Sequence, residues 1–335
     1  MTTAFITHSD CLKHETPPGH PEQVARLKYI LEATKDLDLL RIEAPLATQK
    51  NILSVHLQSH IDLINTSSPE HGTRPLDGDT HMSPGTISAA YRAAGGAVCA
   101  VDTVLSGEAK NAFVAVRPPG HHAETQVPMG FCLFGNIAIA AKHALDFHKL
   151  SKVVVVDFDV HHGNGTQDVF YSDPDVLFIS FHQMPLYPGT GSVNEIGEGD
   201  GVGATINIPL PPGTTGDVFL SAWDQIALPA IEEFSPTWLL ISAGFDAHRR
   251  DPLTDLGLTA GDYNLLTSQI IQTVPAGRRL VFLEGGYDLL ALELSTHAVL
   301  HALIGEQTYP EELSNGGIGI EAVNEIKSAL LTNEF

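Results

Sequence analysis

The stretch Val153–Gly165 reads VVVVDFDVHHGNG. Four β-branched residues in a row, with no polar alternation, describe a strand buried on both faces, as in a parallel sheet. The apolar run stops and acid–base chemistry starts at once, with Asp157, Asp159, His161 and His162. The same grammar recurs three times. Trp238–Ser242 (WLLIS) runs into Ala243–His248 (AGFDAH), Ala112–Val116 into Arg117–His122 (RPPGHH), and Leu280–Leu283 into Glu284–Asp288 (EGGYD). Four strands thus deliver reactive side chains just past their carboxyl ends, the edge at which open parallel sheets bind ligands.

Working outward, further strands are predicted at Ala4–Thr7, Val176–Ser180 and Thr205–Ile208, seven in all. Between them, helical spacing predicts helices over Pro84–Leu105, Asn136–Leu150, Thr215–Phe234, Thr259–Val274 and Leu289–Ile304. Strand and helix alternate, which argues for one α/β domain over residues 1–335 with a mostly parallel sheet. The Pro- and Gly-rich pieces Met184–Gly191 and Pro209–Gly216 read as loops around it.

In extended chain, positions i and i+2 point the same way, so Asp157, Asp159 and His161 project together. Two carboxylates and an imidazole suit a divalent cation. Zinc takes such ligands, and a catalytic site leaves one position open. Asp246, at the end of another strand, is the candidate third ligand. The bland reading is a hydrogen-bonded Asp/His turn. His121 and His122 sit on a turn stiffened by prolines and suit proton transfer, with a usual pKa near ~6.5. The bland alternatives are a surface pair or further metal ligands. Asp157 and Asn164 are candidates to orient them. Tyr287 follows two glycines, which predicts a flexible loop. A phenol with pKa near ~10 stays protonated and can donate to a developing oxyanion.

Composition narrows the function classes. The chain has 335 residues, 43% of them hydrophobic and 17% charged, and a formal net charge of -22. That charge argues against nucleic acid as a partner and suits cationic ones, or simply solubility. Three unpatterned cysteines, Cys11, Cys99 and Cys132, suit a reducing compartment. The opening residues MTTAFITHSDCLKHE lack the regions of a signal peptide, and no apolar run is long enough to span a bilayer. The expectation is a cytoplasmic protein with no membrane partner.

Taken together, RPPGHHAE, GFCLFGN, VVDFDVHHGNGTQ, ISFHQ, YPGTG, ISAGFDAH and EGGYD resemble the histone deacetylase superfamily. The similarity is greatest to its class II members, including bacterial deacetylase-like amidohydrolases and acetylpolyamine relatives, and spans His8 to Asp288. The resemblance implies the arginase–deacetylase fold, with a sheet of eight strands, one more than the seven read above. It implies metal-assisted removal of acetyl groups from amines, most directly from acetyl-lysine. Asp159, His161 and Asp246 would hold zinc, or iron(II). His122 would act as general base and then general acid, and His121 as an electrostatic group. Asp157 and Asn164 would be their partners, with Tyr287 the oxyanion donor. The neutral Asn164 departs from the class I pattern, which has Asp there. The implied substrate slot uses Phe131, Gly130, Tyr187, Leu253 and Gly286, with Asp79 at the rim. Arg26 matches an arginine of an interior channel. Potassium is implied near Asp157, Asp159, His161, Ser180 and Phe181, and again near Phe170, Asp173 and Val176. The other histidines are expected at the surface or in loop packing, with His14, His20 and His182 placed at the entrance.

Three rival readings accompany this one. An acetylpolyamine amidohydrolase would suit the acidic charge, but some such relatives carry Glu where this chain has Leu253. A two-metal ureohydrolase of the arginase type needs more acidic ligands. A catalytically silent acyl-lysine-binding module would keep the fold without the reaction. A homo-oligomer is compatible with the sequence.

Overall fold

The computed structural model describes residues 2–332. Its centre is a sheet of eight strands: β1 Thr3–Thr7, β2 Leu40–Glu43, β3 Asn111–Val114, β4 Val153–Asp157, β5 Val176–Gln183, β6 Thr205–Leu210, β7 Trp238–Ala243 and β8 Arg279–Leu283. The order across it is β2-β1-β3-β8-β7-β4-β5-β6, and every pairing is parallel. The expectation of a mostly parallel sheet is therefore sharpened to a wholly parallel one. β2 is the strand the apolar runs missed. Its four residues, LRIE, alternate between half-buried and exposed at the sheet edge, so no continuous apolar run marks it.

Residues Val153–Val156 are fully buried, as the sequence pattern requires. Each contributes about 1.5–3 kcal/mol of apolar burial. Helix α1 spans Val24–Ala33, α2 Thr86–Leu105, α3 Asn136–Lys142, α4 Asn164–Phe170, α5 Ala260–Ile270 and α6 Leu289–Ile304. α2 lies on β1, β3 and β8, while α5 and α1 pack against α6, so helices flank the sheet. Two predicted helices are interrupted. The one over Asn136–Leu150 gives way to a π turn at His143–Phe147, and the one over Thr215–Phe234 contains another at Trp223–Ala227. Apolar spacing does not distinguish an added residue per turn from a continuous helix. Among the described residues no helix is long and apolar enough to cross a membrane.

In the sheet, β3, β8, β7 and β4 are consecutive neighbours. They are the four strands whose ends carry the reactive motifs. Asp157 is paired in register with Ser180 on one side and Ser242 on the other. The topology thus gathers segments 111–122, 153–165, 238–248 and 279–288 at one edge.

Candidate metal centre and substrate cleft

Asp159, His161 and Asp246 meet in the interior, with one ligand atom of each within 4.8 Å of the others. His161 Nδ1 lies 3.2 Å from Asp159 Oδ1 and 3.1 Å from Asp246 Oδ2. Backbone amides hold the carboxylates. Gly285 N donates to Asp159 Oδ2 at 2.7 Å, Val160 N to Asp246 Oδ1 at 2.9 Å, and Asp159 N to Asp157 Oδ1 at 3.0 Å. A Cβ on Gly285 would meet both Asp246 and Asp159, and one on Gly244 would meet Asp159. The double glycine is therefore pinned for close approach, which corrects the expectation of a flexible loop.

His121 Nδ1 stands 3.0 Å from Asp157 Oδ2, and His122 Nδ1 2.7 Å from Asn164 Oδ1. The Asn164 amide is itself oriented, because its Nδ2 donates to Glu124 Oε1 at 2.7 Å. Asn164 Oδ1 therefore accepts from His122 Nδ1, which leaves Nε2 with its lone pair. Glu284 Oε2 accepts from the amides of Gly120 and His121 at 2.7 and 3.0 Å and so fixes the loop that carries both rings. Tyr287 N donates to Asp251 Oδ2 at 2.7 Å, while Leu253 N donates to Asp251 Oδ1 at 3.0 Å. One carboxylate thus ties the tyrosine to a cleft wall.

Burial acts on all of these groups, and their neighbours decide the outcome. Burial opposes charge on His121, but the carboxylates of Asp159 and Asp157 outweigh it and lift its pKa to about 10. His161 is lifted to about 10 in the same way, by Asp159 and Asp246. For His122, burial and the charges of His121 and His161 act together and hold the ring well below its usual value. Burial raises Asp157 to about 6 against the pull of His121, and raises Asp246 with help from the charge of Asp159. Asp159 ends lowered, because His121 and then His161 overcome its burial. Burial and Asp246 push the Tyr287 hydroxyl well above the phenol range.

Above the cluster opens a cleft of about 370 Å³. It is lined by the buried His122, His161, Tyr287 and Gly130, by the half-buried Phe131, His20, His81 and Asp79, and by the more exposed Tyr187 and Leu253. Tyr187 stands edge-on to His122, with ring centroids 5.2 Å apart, and Phe131 edge-on to Tyr287 at 5.8 Å. Gly130 has φ +56°, and a Cβ there would strike the His122 ring, so this glycine makes room for the histidine. Phe131 holds φ +67°, a strained value for a bulky residue and common where a site dictates the backbone. Gly286 holds φ +114°, and a Cβ there would crowd Phe245.

Arg26 is fully committed. Its guanidinium donates to the carbonyls of Gly286 and Glu284 at 2.7 and 2.6 Å and to Glu22 at 3.2 Å, and it lies 5.0 Å from the Tyr287 ring centre. Glu22 also pairs with buried Arg117, which braces the Arg-Pro-Pro turn. Of the residues implied for potassium, Ser180 and Phe181 lie on β5 beside Asp157. Phe170, Asp173 and Val176 are linked by two backbone bonds, Asp173 N donating to Phe170 O at 3.0 Å and Val176 N to Asp173 O at 3.4 Å.

The expectation for the other histidines needs correction. His14, His56, His60, His182 and His248 are buried, because each ring finds a polar partner inside. Of the three placed at the entrance, only His20 lines the cleft. His14 is buried against Thr86 and Glu22, and His182 against Gly191. Glu284, Glu124 and Asp251 are the contributors that the motifs did not single out.

Comparison with known proteins agrees with this geometry. Residues 20–303 match the histone deacetylase domain. A probable deacetylase of Archaeoglobus fulgidus is 39% identical, over 91% of this chain and 87% of that protein. A histone deacetylase-like amidohydrolase of Pseudomonas aeruginosa is 37% identical, over 90% and 86%. The crystal structure of the HDA15 HD domain superposes with a TM-score of 0.90 at 34% identity, covering 98% of this chain and 96% of that one.

Proposed function

The chain belongs to the histone deacetylase family, and from that premise we propose that it is a zinc-dependent amidohydrolase acting on acetylated amines, with acetyl-lysine in proteins or peptides as substrate. The observation that carries the reading is the buried Asp159–His161–Asp246 cluster at the floor of an aromatic-walled cleft. Two carboxylate oxygens and one imidazole nitrogen suit zinc, and two negative charges balance it. The region also buries Asp157, Asp251 and Glu284, an acidic excess that a divalent cation relieves. Bound there, the ion would supply Lewis-acid polarisation of the acetyl carbonyl and a more acidic attacking water.

The chain's own groups carry the proton transfers. His122 is neutral at working pH and presents Nε2 as the base that takes the water's proton. After attack the same nitrogen returns it to the departing amine, the C–N bond breaks, and acetate and a free amine result. His121, held charged between Asp157 and Asp159, stabilises the negative charge that grows beside it. The Tyr287 hydroxyl stays protonated and donates to the oxyanion. Phe131 and Tyr187 sheathe the aliphatic stem of the substrate and exclude water. Potassium at main-chain carbonyls of Asp157, Asp159, His161, Ser180 and Phe181, and at Phe170, Asp173 and Val176, completes the reading, as does a cytoplasmic setting.

Leu253 on the cleft wall favours acetyl-lysine over an acetylated polyamine, since it offers no charge to a cationic tail. Parallel assays of an acetyl-lysine peptide and an acetylated polyamine, with metal analysis of the same sample, test both parts. Faster turnover of the peptide with zinc bound is expected. Faster turnover of the polyamine moves the assignment to the acetylpolyamine branch. No turnover of any acylated amine by the zinc-loaded protein restores the silent binding module.

A further inference from the structure

A second group of ligand-type atoms lies apart from the cleft. Asp102 of α2, with His143 and His148 after α3, brings one ligand atom of each within 4.8 Å of the others. Both Nε2 atoms face the same oxygen: His143 Nε2 is 2.8 Å and His148 Nε2 2.7 Å from Asp102 Oδ1. This convergence has a backbone cause. On an α-helix, five steps of about 100° would turn residues 143 and 148 roughly 140° apart. Here the chain takes a π turn, with His148 N donating to His143 O at 3.3 Å, and that turn sets residues five apart on one side.

The rings are also held. Phe147 stacks on His143 at 5.0 Å and 14° and stands edge-on to His148 at 5.1 Å and 85°. The two imidazoles meet at 89°, so they converge through their nitrogens rather than stack. Among the described residues, Asp102 makes its ion pairs with these two rings alone. His148 precedes Val153, the amino end of β4, by five residues, so the group sits at the end of the sheet opposite the cleft.

We propose that Asp102, His143 and His148 form a second metal site, for a divalent transition cation of the zinc class. Two imidazole nitrogens and one carboxylate oxygen match zinc and its neighbours, with water filling the remaining position. Calcium and magnesium demand oxygen ligands and are disfavoured. The proton balance is simple. Without metal, each neutral ring donates its Nε2 proton to Asp102. On binding, each ring carries its proton on Nδ1 and gives the Nε2 lone pair to the ion, so neutral rings release no proton. Bonds of about 2.0–2.1 Å set tetrahedral ligand edges near ~3.3 Å. Asp102 Oδ1 must therefore back away from each nitrogen by about half an ångström, which a half-exposed side chain can do. The ion would clasp α2 to the π turn and leave the cleft untouched.

The test is metal analysis of the full-length protein after dialysis against zinc, with cobalt(II) absorption as a second readout. Two equivalents are expected in the parent protein. One is expected in His148→Gln and in Asp102→Asn, each with an unchanged deacetylation rate, which also shows that the variant has folded. His161→Ala, which disables the cleft, should keep one equivalent and still gain melting temperature with zinc. His161→Ala/His148→Gln should do neither. Metal loss that follows His161→Ala alone and ignores His148→Gln overturns the proposal. A single equivalent that ignores His161→Ala and vanishes with His148→Gln supports this site and instead sinks the zinc reading of the cleft.

Discussion

His122 shows how far a residue's chemistry is set by its neighbours. Burial and the charge of His121 keep it neutral, and Asn164 keeps its Nδ1 occupied. In the proposed reaction His122 is the base, and a base must be neutral to act. The rate is therefore full above its pKa and falls as the pH drops through it, below the usual ~6.5. Asn164→Asp puts a carboxylate against the ring and raises that pKa. The acid limb of kcat/KM is expected to move to higher pH, and a limb that stays put removes Asn164 from the coupling. Tyr287→Phe deletes the proposed oxyanion donor, so kcat should fall by about 10²–10³ with KM little changed. Retained turnover in steady-state assays would take Tyr287 out of the reaction. At this scale the strand-end side chains were legible, because acids and imidazoles directly after apolar strands have few other uses. Glu284, Glu124 and Asp251 were not. A carboxylate in a loop reads as solvated until the amides it accepts from are known.

Elements explain how such residues come so close. The loop after β8 runs against the ends of β4 and β7 at a distance that only glycine allows. Gly285→Ala would push its Cβ into the Asp159 and Asp246 carboxylates and withdraw the amide that holds Asp159. Zinc affinity is expected to fall about 10–100-fold, as for other losses of groups that orient metal ligands. A competition titration with a chromophoric chelator would measure it, and unchanged affinity would mean that the loop yields freely. The long apolar strands were readable because burial on both faces leaves no polar residues to interrupt them. β2 was hidden by its half-exposed edge position. The π turns were hidden because one extra residue per turn barely alters an apolar pattern, yet one of them brings His143 and His148 together.

For the whole molecule, the charge of -22 matters most for encounter. A negative field concentrates cationic substrates and is screened over about 10 Å at 0.1 M salt. For acetylated peptides rich in Lys and Arg, kcat/KM should fall as salt rises, while an uncharged acetylated substrate stays level in the same stopped assays. Equal salt dependence for both would assign the charge to solubility alone. The α/β architecture was legible at this scale from alternation, but the order of strands was not, because pairing is decided by contacts far apart in the chain. That order has a consequence for synthesis. β8 is the last strand of the sheet to be made, yet it fills the place between β3 and β7, and Gly285 and Tyr287 follow it directly. While residues beyond 278 are still inside the ribosome, the strand that belongs between β3 and β7 is missing, and with it Tyr287, the oxyanion donor of the proposed reaction. On the proposed mechanism, amide cleavage is then expected to begin only after the segment that closes the sheet has been released.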